Sequence, residues 1–144
     1  MRYLLLVSHG TYAPGLHSVL DMLAGKHDDI LSCSLRDGES PEEYTAELED
    51  VIAPITPDDE VIVLGDLIGG SPLTNALATL SAHGLLANTR AFGGMNVPMA
   101  LTCALDLQTD DVDALCESML SEGKAAMYAV ELDLESNDDE EEDL

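Results

Sequence analysis

The sequence predicts an α/β protein with a doubly wound, mostly parallel sheet of strand order 2-1-3-4. Four short apolar runs, each bounded by turn residues, have the length and composition of buried strands. Each run is followed by a segment whose apolar residues repeat at helical spacing. Strands that alternate with helices form parallel sheets, and right-handed crossovers place the helices on both faces.

The predicted elements follow one another closely along the chain. The strands cover residues 2–7, 30–35, 61–65 and 89–92, and the first helices cover residues 14–24, 41–53, 72–82 and 98–105. Asp110 is expected to cap a further helix, and alternating polarity predicts a last strand over residues 126–134. Ser40 and Glu43 have the spacing of a capping box, and we expect Ser71 to cap the helix after the third strand. We therefore expect one domain, residues 1–134, followed by an acidic disordered tail, residues 135–144.

Composition excludes several functional classes. A formal net charge of −24 over 144 residues argues against nucleic acid and anionic membranes as partners, because both are polyanions. No apolar run is long enough for a membrane span or a signal peptide, so we expect a soluble, cytoplasmic protein. The three cysteines include no CxxC pair, so neither a metal site nor a redox pair is expected.

Three predicted strands run into polar, glycine-containing loops. The first loop contains Ser8-His9-Gly10-Thr11, the second reads Asp66-Leu67-Ile68-Gly69-Gly70-Ser71-Pro72, and the third reads Gly94-Met95-Asn96-Val97-Pro98-Met99. Parallel strands end at one edge of the sheet, and ligands bind there at the point where the strand order reverses. With the order 2-1-3-4 this point lies between the first and third strands. His9 and Asp66 are therefore expected to be neighbours across a crevice.

An imidazole beside a carboxylate is a positioned nucleophile or base. We expect Asp66 to accept the Nδ1–H of His9, which leaves Nε2 facing the crevice. Gly69, Gly70 and the helix that follows them provide an anion site, to which we add Thr11, Ser71 and Asn96 as phosphoryl-binding candidates. The three loops contain no arginine or lysine, and the chain has no nucleotide-binding P-loop. This chemistry favours a reversible phosphoryl carrier without a cofactor over a kinase with its own ATP site.

The three loops also carry a family resemblance. Together they resemble the IIA component of the mannose-type (mannose–fructose–sorbose) branch of the bacterial sugar phosphotransferase system, and the resemblance covers about residues 1–132. It implies that His9 accepts a phosphoryl group from the phosphocarrier protein HPr and passes it to a histidine of a IIB component. IIB then phosphorylates sugar that enters through the membrane subunits IIC and IID.

The resemblance also implies roles for single residues and for the last strand. Asp66 matches the histidine-orienting aspartate of the family, and Ser71 matches a serine that lines the phosphoryl site. The family fold has a four-stranded parallel sheet and a last, antiparallel strand exchanged across a homodimer, for which residues 126–134 are the candidate. The chain departs from the family at Leu73-Thr74-Asn75, where members often have Phe-Asn directly after the proline.

Three alternative functions remain open at the level of the sequence. The phosphoryl-donor subunit of dihydroxyacetone kinase shares the fold and the histidine. A hydrolase would use Ser71, His9 and Asp66 as a triad and would need a hydrogen bond between Ser71 and His9. A non-catalytic regulatory domain would tolerate loss of His9.

Overall fold

Four parallel strands form the sheet that positions the candidate site. The computed structural model describes residues 1–133, and its strands are β1 (Arg2–His9), β2 (Ile30–Leu35), β3 (Glu60–Gly65) and β4 (Thr89–Phe92). Their order is β2-β1-β3-β4, and all three neighbouring pairs are parallel. The predicted sheet and its strand order are confirmed.

Five α-helices cover the two faces of this sheet. They are α1 (Tyr12–Ala24), α2 (Pro41–Val51), α3 (Ser71–Ala82), α4 (Val97–Leu105) and α5 (Val112–Ala125), and a short 3-10 helix, Leu86–Asn88, precedes β4. Successive residues of a strand point to opposite faces. Leu4 and Leu6 of β1 therefore pack in a cluster with α1, α4 and α5, whereas Leu5 and Val7 pack with α2 and α3 on the other side. The burial of β1 on both faces explains its unbroken apolar sequence.

Local sequence signals set most of the helix boundaries. The Ser40 side chain accepts from the Glu43 amide, and the Glu43 carboxylate accepts from the Ser40 amide, so the predicted capping box is present. The prediction for α3 is wrong by one residue, because Gly70 is the N-cap and Ser71 is already helical. Gly70 has extended backbone angles that suit a cap, and this leaves the Ser71 hydroxyl free of a capping role. Asp111, rather than Asp110, caps α5.

The predicted last strand is not formed in this chain. After α5 ends at Ala125, residues 126–133 contain neither helix nor strand, and the large apolar side chains Met127, Tyr128, Val130 and Leu132 are exposed. The reason is physical: alternating polarity makes a strand only where a partner strand supplies backbone hydrogen bonds, and within the described part of the chain no strand pairs with residues 126–132. Residue 134 and the predicted acidic tail, residues 135–144, lie outside the described residues.

The structure also bears on the membrane and on the cysteines. None of the helices within residues 1–133 combines the length and the apolar character that crossing a bilayer requires. Cys33, Cys103 and Cys116 are free thiols, and each is buried. They serve as small apolar side chains in the core.

Candidate active site

His9 and Asp66 lie side by side at the carboxyl edge of the sheet. Val7 of β1 is in register with Gly65 of β3, so the residues just beyond this pair meet at the same edge. Asp66 Oδ2 accepts from the His9 backbone N–H at 2.9 Å and lies 2.9 Å from His9 Nδ1. The structure thus places the two residues together, as the order 2-1-3-4 predicted.

The carboxylate determines which ring nitrogen of His9 carries the proton. An ionised carboxylate only accepts hydrogen bonds, so Nδ1 must donate to Asp66, and in the neutral imidazole Nε2 is left with its lone pair. The His9 side chain is 46% exposed, whereas that of Asp66 is 16% exposed. The ring therefore combines a fixed orientation on one side with an accessible nitrogen on the other.

Asp66 is held in its ionised form. Partial burial by itself would raise the pKa of the carboxyl group, but hydrogen bonds from the His9 backbone, the His9 ring and the Leu67 amide outweigh burial and hold this pKa below its ordinary value. The Leu67 amide donates to Oδ1 at 2.9 Å, so both carboxylate oxygens are occupied. Asp66 is consequently a negative charge of fixed position at neutral pH.

The start of α3 lies against the imidazole. A Cβ on Gly70 would lie 2.9 Å from Cε1 of His9 and 3.6 Å from Nε2. The φ of Gly70 is −82°, an angle that any residue adopts. The close approach of the ring, rather than backbone conformation, is therefore what requires a glycine here.

The same helix start supplies donors for an anion. The first helical hydrogen bond of α3 runs from the Thr74 N–H to the Gly70 carbonyl, so the Ser71 and Leu73 amides before it have no acceptor within the helix. Gly69 has a φ of +83°, which turns the backbone into the helix. Free amides and the positive end of the helix dipole favour a bound anion close to Nε2.

The two hydroxyl candidates each lie at the start of a helix. Ser71 is the first residue of α3, and its side chain is exposed. Thr11 precedes α1 without capping it through its side chain, and it is also exposed. Neither hydroxyl therefore serves as the side-chain cap of its helix.

Asn96 has a different environment from the other predicted site residues. Its Oδ1 accepts from the Met99 amide at 3.0 Å and thereby caps α4, and its Nδ2 donates to the Gly123 carbonyl at 2.9 Å. Both polar atoms of the side chain are thus engaged with α4 and α5. The side chain fixes the third loop to the end of α5, and the structure does not direct it towards His9.

The third loop is bound to the end of β3. The Gly94 amide donates to the Asp66 carbonyl at 3.2 Å, and the Met95 amide donates to the Gly65 carbonyl at 3.1 Å. Gly94 has a φ of +72°, the left-handed angle that the turn requires and glycine tolerates. The loops after β3 and β4 therefore form one hydrogen-bonded unit around Asp66.

Sequence reasoning assigned no role to three residues that support the site. Ser8 accepts from the Ala13 amide through its hydroxyl at 2.6 Å and is fully buried beneath the first loop. The Tyr44 hydroxyl donates to the Pro72 carbonyl at 2.8 Å, and the Tyr12 hydroxyl donates to the Met95 carbonyl at 2.8 Å. The two tyrosine bonds join residues 28 and 83 positions apart in the chain, so no local sequence pattern predicts them.

Comparison with known families identifies the family of this chain. A family model described as the PTS system fructose IIA component, EIIA-man, matches residues 3–120. The chain belongs to this family. Membership confirms the resemblance that the three loops carry, and it implies a role in phosphoryl transfer within the sugar phosphotransferase system.

Solved structures of similar proteins share the fold of this EIIA-man chain. The mannose/sorbose-specific IIA subunit from Enterococcus faecalis has a TM-score of 0.76 at 24% identity, over 92% of this chain and 96% of that one. EIIA from Streptococcus agalactiae has a TM-score of 0.74 at 22% identity, over 90% and 97%. The IIA protein of the fucose utilisation operon from Streptococcus pneumoniae has a TM-score of 0.73 at 24% identity, over 89% and 92%.

Proposed function

We propose that this chain is a phosphoryl carrier that accepts a phosphoryl group from HPr on Nε2 of His9 and passes it to a histidine of a IIB component. One observation carries the proposal: Asp66 holds Nδ1–H, so the lone pair of Nε2 is exposed beside the start of α3. A nucleophilic nitrogen next to an anion site is the arrangement that reversible phosphorylation of histidine requires.

The transfer step follows from the geometry. The Nε2 lone pair of His9 forms a bond to phosphorus while the bond between phosphorus and the donor breaks, and the donor group departs with that electron pair. Positive charge develops on the imidazole as the new bond forms, and the Asp66 carboxylate offsets it. Gly69, Gly70, Ser71 and Thr11 are proposed to bind the phosphoryl oxygens, and Asn96 is proposed to act by holding the third loop.

The mass of the intact protein tests the proposal. After incubation with phosphoenolpyruvate, enzyme I and HPr, we expect a gain of one phosphoryl group, about 80 Da, that needs all three components and is labile in acid. His9→Ala should abolish the gain. His17→Ala is the matched control, because His17 lies in α1 with its Nδ1 bonded to Ser32 Oγ at 2.8 Å, away from Asp66. Label that persists in His9→Ala would refute the assignment.

Delivery to IIB is tested separately. Phosphorylated protein, freed from HPr and mixed with a mannose-type IIB component, should lose its phosphoryl group as IIB gains one. Stable phosphoprotein in this mixture would leave acceptance from HPr intact and would overturn the delivery step. We place the whole exchange in the cytoplasm, and the membrane subunits IIC and IID take part only through IIB.

The hydrolase alternative lacks its central contact. Among residues 1–133, His9 is hydrogen-bonded to Asp66 through its backbone and through Nδ1, and no hydrogen bond joins it to Ser71. A serine nucleophile needs the imidazole as its base. The geometry therefore favours His9, rather than Ser71, as the nucleophile.

We also infer that the chain forms a homodimer in which residues 126–134 pair as an exchanged strand. Two observations support this: large apolar side chains in residues 126–133 are exposed, and β4 pairs only with β3, so its other edge is open in the described chain. An open strand edge is a template for pairing with another chain. Light scattering should give a dimer mass for the whole chain and a monomer mass for a chain that ends at residue 125. A monomer mass for the whole chain would overturn the exchange.

A further inference from the structure

Tyr12 joins two of the three loops that surround His9. It is the first residue of α1, three residues after His9, and its hydroxyl donates to the Met95 carbonyl at 2.8 Å. Met95 belongs to the loop after β4, which is separated from β1 in the sheet by β3. The hydrogen bond therefore spans the end of β3, where Asp66 lies.

The residue that Tyr12 holds is itself bonded to the end of β3. Met95 donates its amide to the Gly65 carbonyl, and Gly94 donates its amide to the Asp66 carbonyl. The Met95 side chain is buried, with 3% exposed, so this loop is anchored in the core. Hydrogen bonds thus run from Tyr12 to Met95, from Met95 and its neighbour Gly94 to Gly65 and Asp66, and from Asp66 to His9.

The phenol of Tyr12 is suited to this role although its side chain lies at the surface. Two effects raise the pKa of Tyr12 above its ordinary value: burial of the hydroxyl, which is the larger, and the negative charge of Asp66. The hydroxyl is therefore protonated at neutral pH and able to donate. Phenylalanine would have the same ring without this donor, so Tyr12→Phe removes the hydrogen bond and little else.

We propose that Tyr12 is a positioning residue for phosphoryl transfer, which through its hydrogen bond to Met95 sets the orientation of Asp66 against the imidazole of His9. The proposal rests on the proposed function of His9. Without the Tyr12 hydroxyl, the third loop keeps its backbone bonds to β3 and its apolar packing, but it loses its hydrogen bond to α1. Reacting groups must be held within a few tenths of an ångström, so a loosened loop lowers the rate without touching the phosphoryl group.

The test compares Tyr12→Phe with Tyr3→Phe. Tyr3 is a buried residue of β1 in the cluster that faces α2 and α3, and among the described residues its hydroxyl makes no hydrogen bond, so Tyr3→Phe controls for the loss of a phenol alone. With HPr as donor, we expect Tyr12→Phe to lower kcat about fivefold, as loss of one hydrogen bond implies, and to leave KM for HPr unchanged. Tyr3→Phe should match the parent chain.

A second readout separates positioning from general destabilisation. In the parent chain, the ¹⁵N signals of the His9 ring should show the proton on Nδ1. In Tyr12→Phe this ring signal should shift towards that of an imidazole without a hydrogen bond. The proposal stands only if both kcat and the ring signal change in Tyr12→Phe and neither changes in Tyr3→Phe. If the parent chain gains no phosphoryl group, the proposed function fails, and the ring signal alone then decides the role of Tyr12.

Discussion

Replacing Gly70 by alanine tests the contact between α3 and the imidazole of His9. The added Cβ would lie 2.9 Å from Cε1 of His9, at least about 0.6 Å closer than two carbon atoms rest in favourable contact. The backbone angles of Gly70 suit alanine, so the clash falls on the ring. The imidazole is 46% exposed and has room to swing outward, and this movement stretches the bond between Nδ1 and Asp66.

A displacement of this size should affect the reaction far more than the fold. Misplacing a reacting group by about 1 Å costs up to about a hundredfold in rate, so we expect phosphorylation of Gly70→Ala to be about 10- to 100-fold slower. The melting temperature should stay within about 3 °C of the parent value, because a half-exposed ring relieves the overlap. Gly15→Ala is the matched control, since a Cβ there meets nothing within 4 Å. A Gly70→Ala chain that is phosphorylated at the parent rate would refute the reasoning.

Three further changes have expected outcomes. Asp66→Ala should slow phosphorylation about 10- to 100-fold without abolishing it, because Asp66 orients the ring and forms no bond to phosphorus. Because the pKa of Asp66 is lowered in the folded chain, its carboxylate stabilises the fold at pH values above about 4, and this stabilisation is lost as the pH falls further. In urea titrations the difference in unfolding free energy between the parent and Asp66→Ala should therefore shrink below about pH 4, and a constant difference would contradict this. Asn96→Ala should lower the free energy of unfolding by about 1–3 kcal/mol, since the cap of α4 and the bond to Gly123 are both lost, and an unchanged urea midpoint would refute that role. The net charge of −24 makes the folded chain repel itself, and salt screens this repulsion. The melting temperature should therefore rise when KCl is raised from about 0.1 M to about 2 M, a range over which the screening length falls from about 10 Å to less than about 3 Å. A fall in melting temperature would show that attractive ion pairs dominate instead.

Much of the site was predictable because it depends on strand ends. The apolar runs place β1 and β3, and the order 2-1-3-4 brings the residues after them together, so His9 and Asp66 follow from sequence and topology alone. The glycines of the second loop similarly predict the turn into α3. The exact cap was mispredicted because Gly70 and Ser71 both suit an N-cap, and only the backbone angles in the structure show that Gly70 takes this position.

The last strand shows the opposite case. Residues 126–134 have the alternation of a strand, but a strand forms only with a partner strand, and within residues 1–133 no strand pairs with residues 126–132. The local pattern therefore indicates a strand tendency that the described part of the chain does not realise. Whether this segment pairs depends on a partner strand and not on the pattern alone.

The sequence by itself determined the fold class, the candidate nucleophile His9, its carboxylate neighbour Asp66 and the glycine-rich turn, because each depends on residue type and on position relative to a strand end. Only the tertiary structure decided how these groups are held. The hydroxyl of Tyr12 reaches Met95, that of Tyr44 reaches Pro72, and both polar atoms of Asn96 are taken by α4 and α5. Apart from the local cap that Asn96 forms with Met99, these contacts join residues distant in the chain. Their partners are backbone carbonyls, which every residue type presents alike, so the sequence does not identify them.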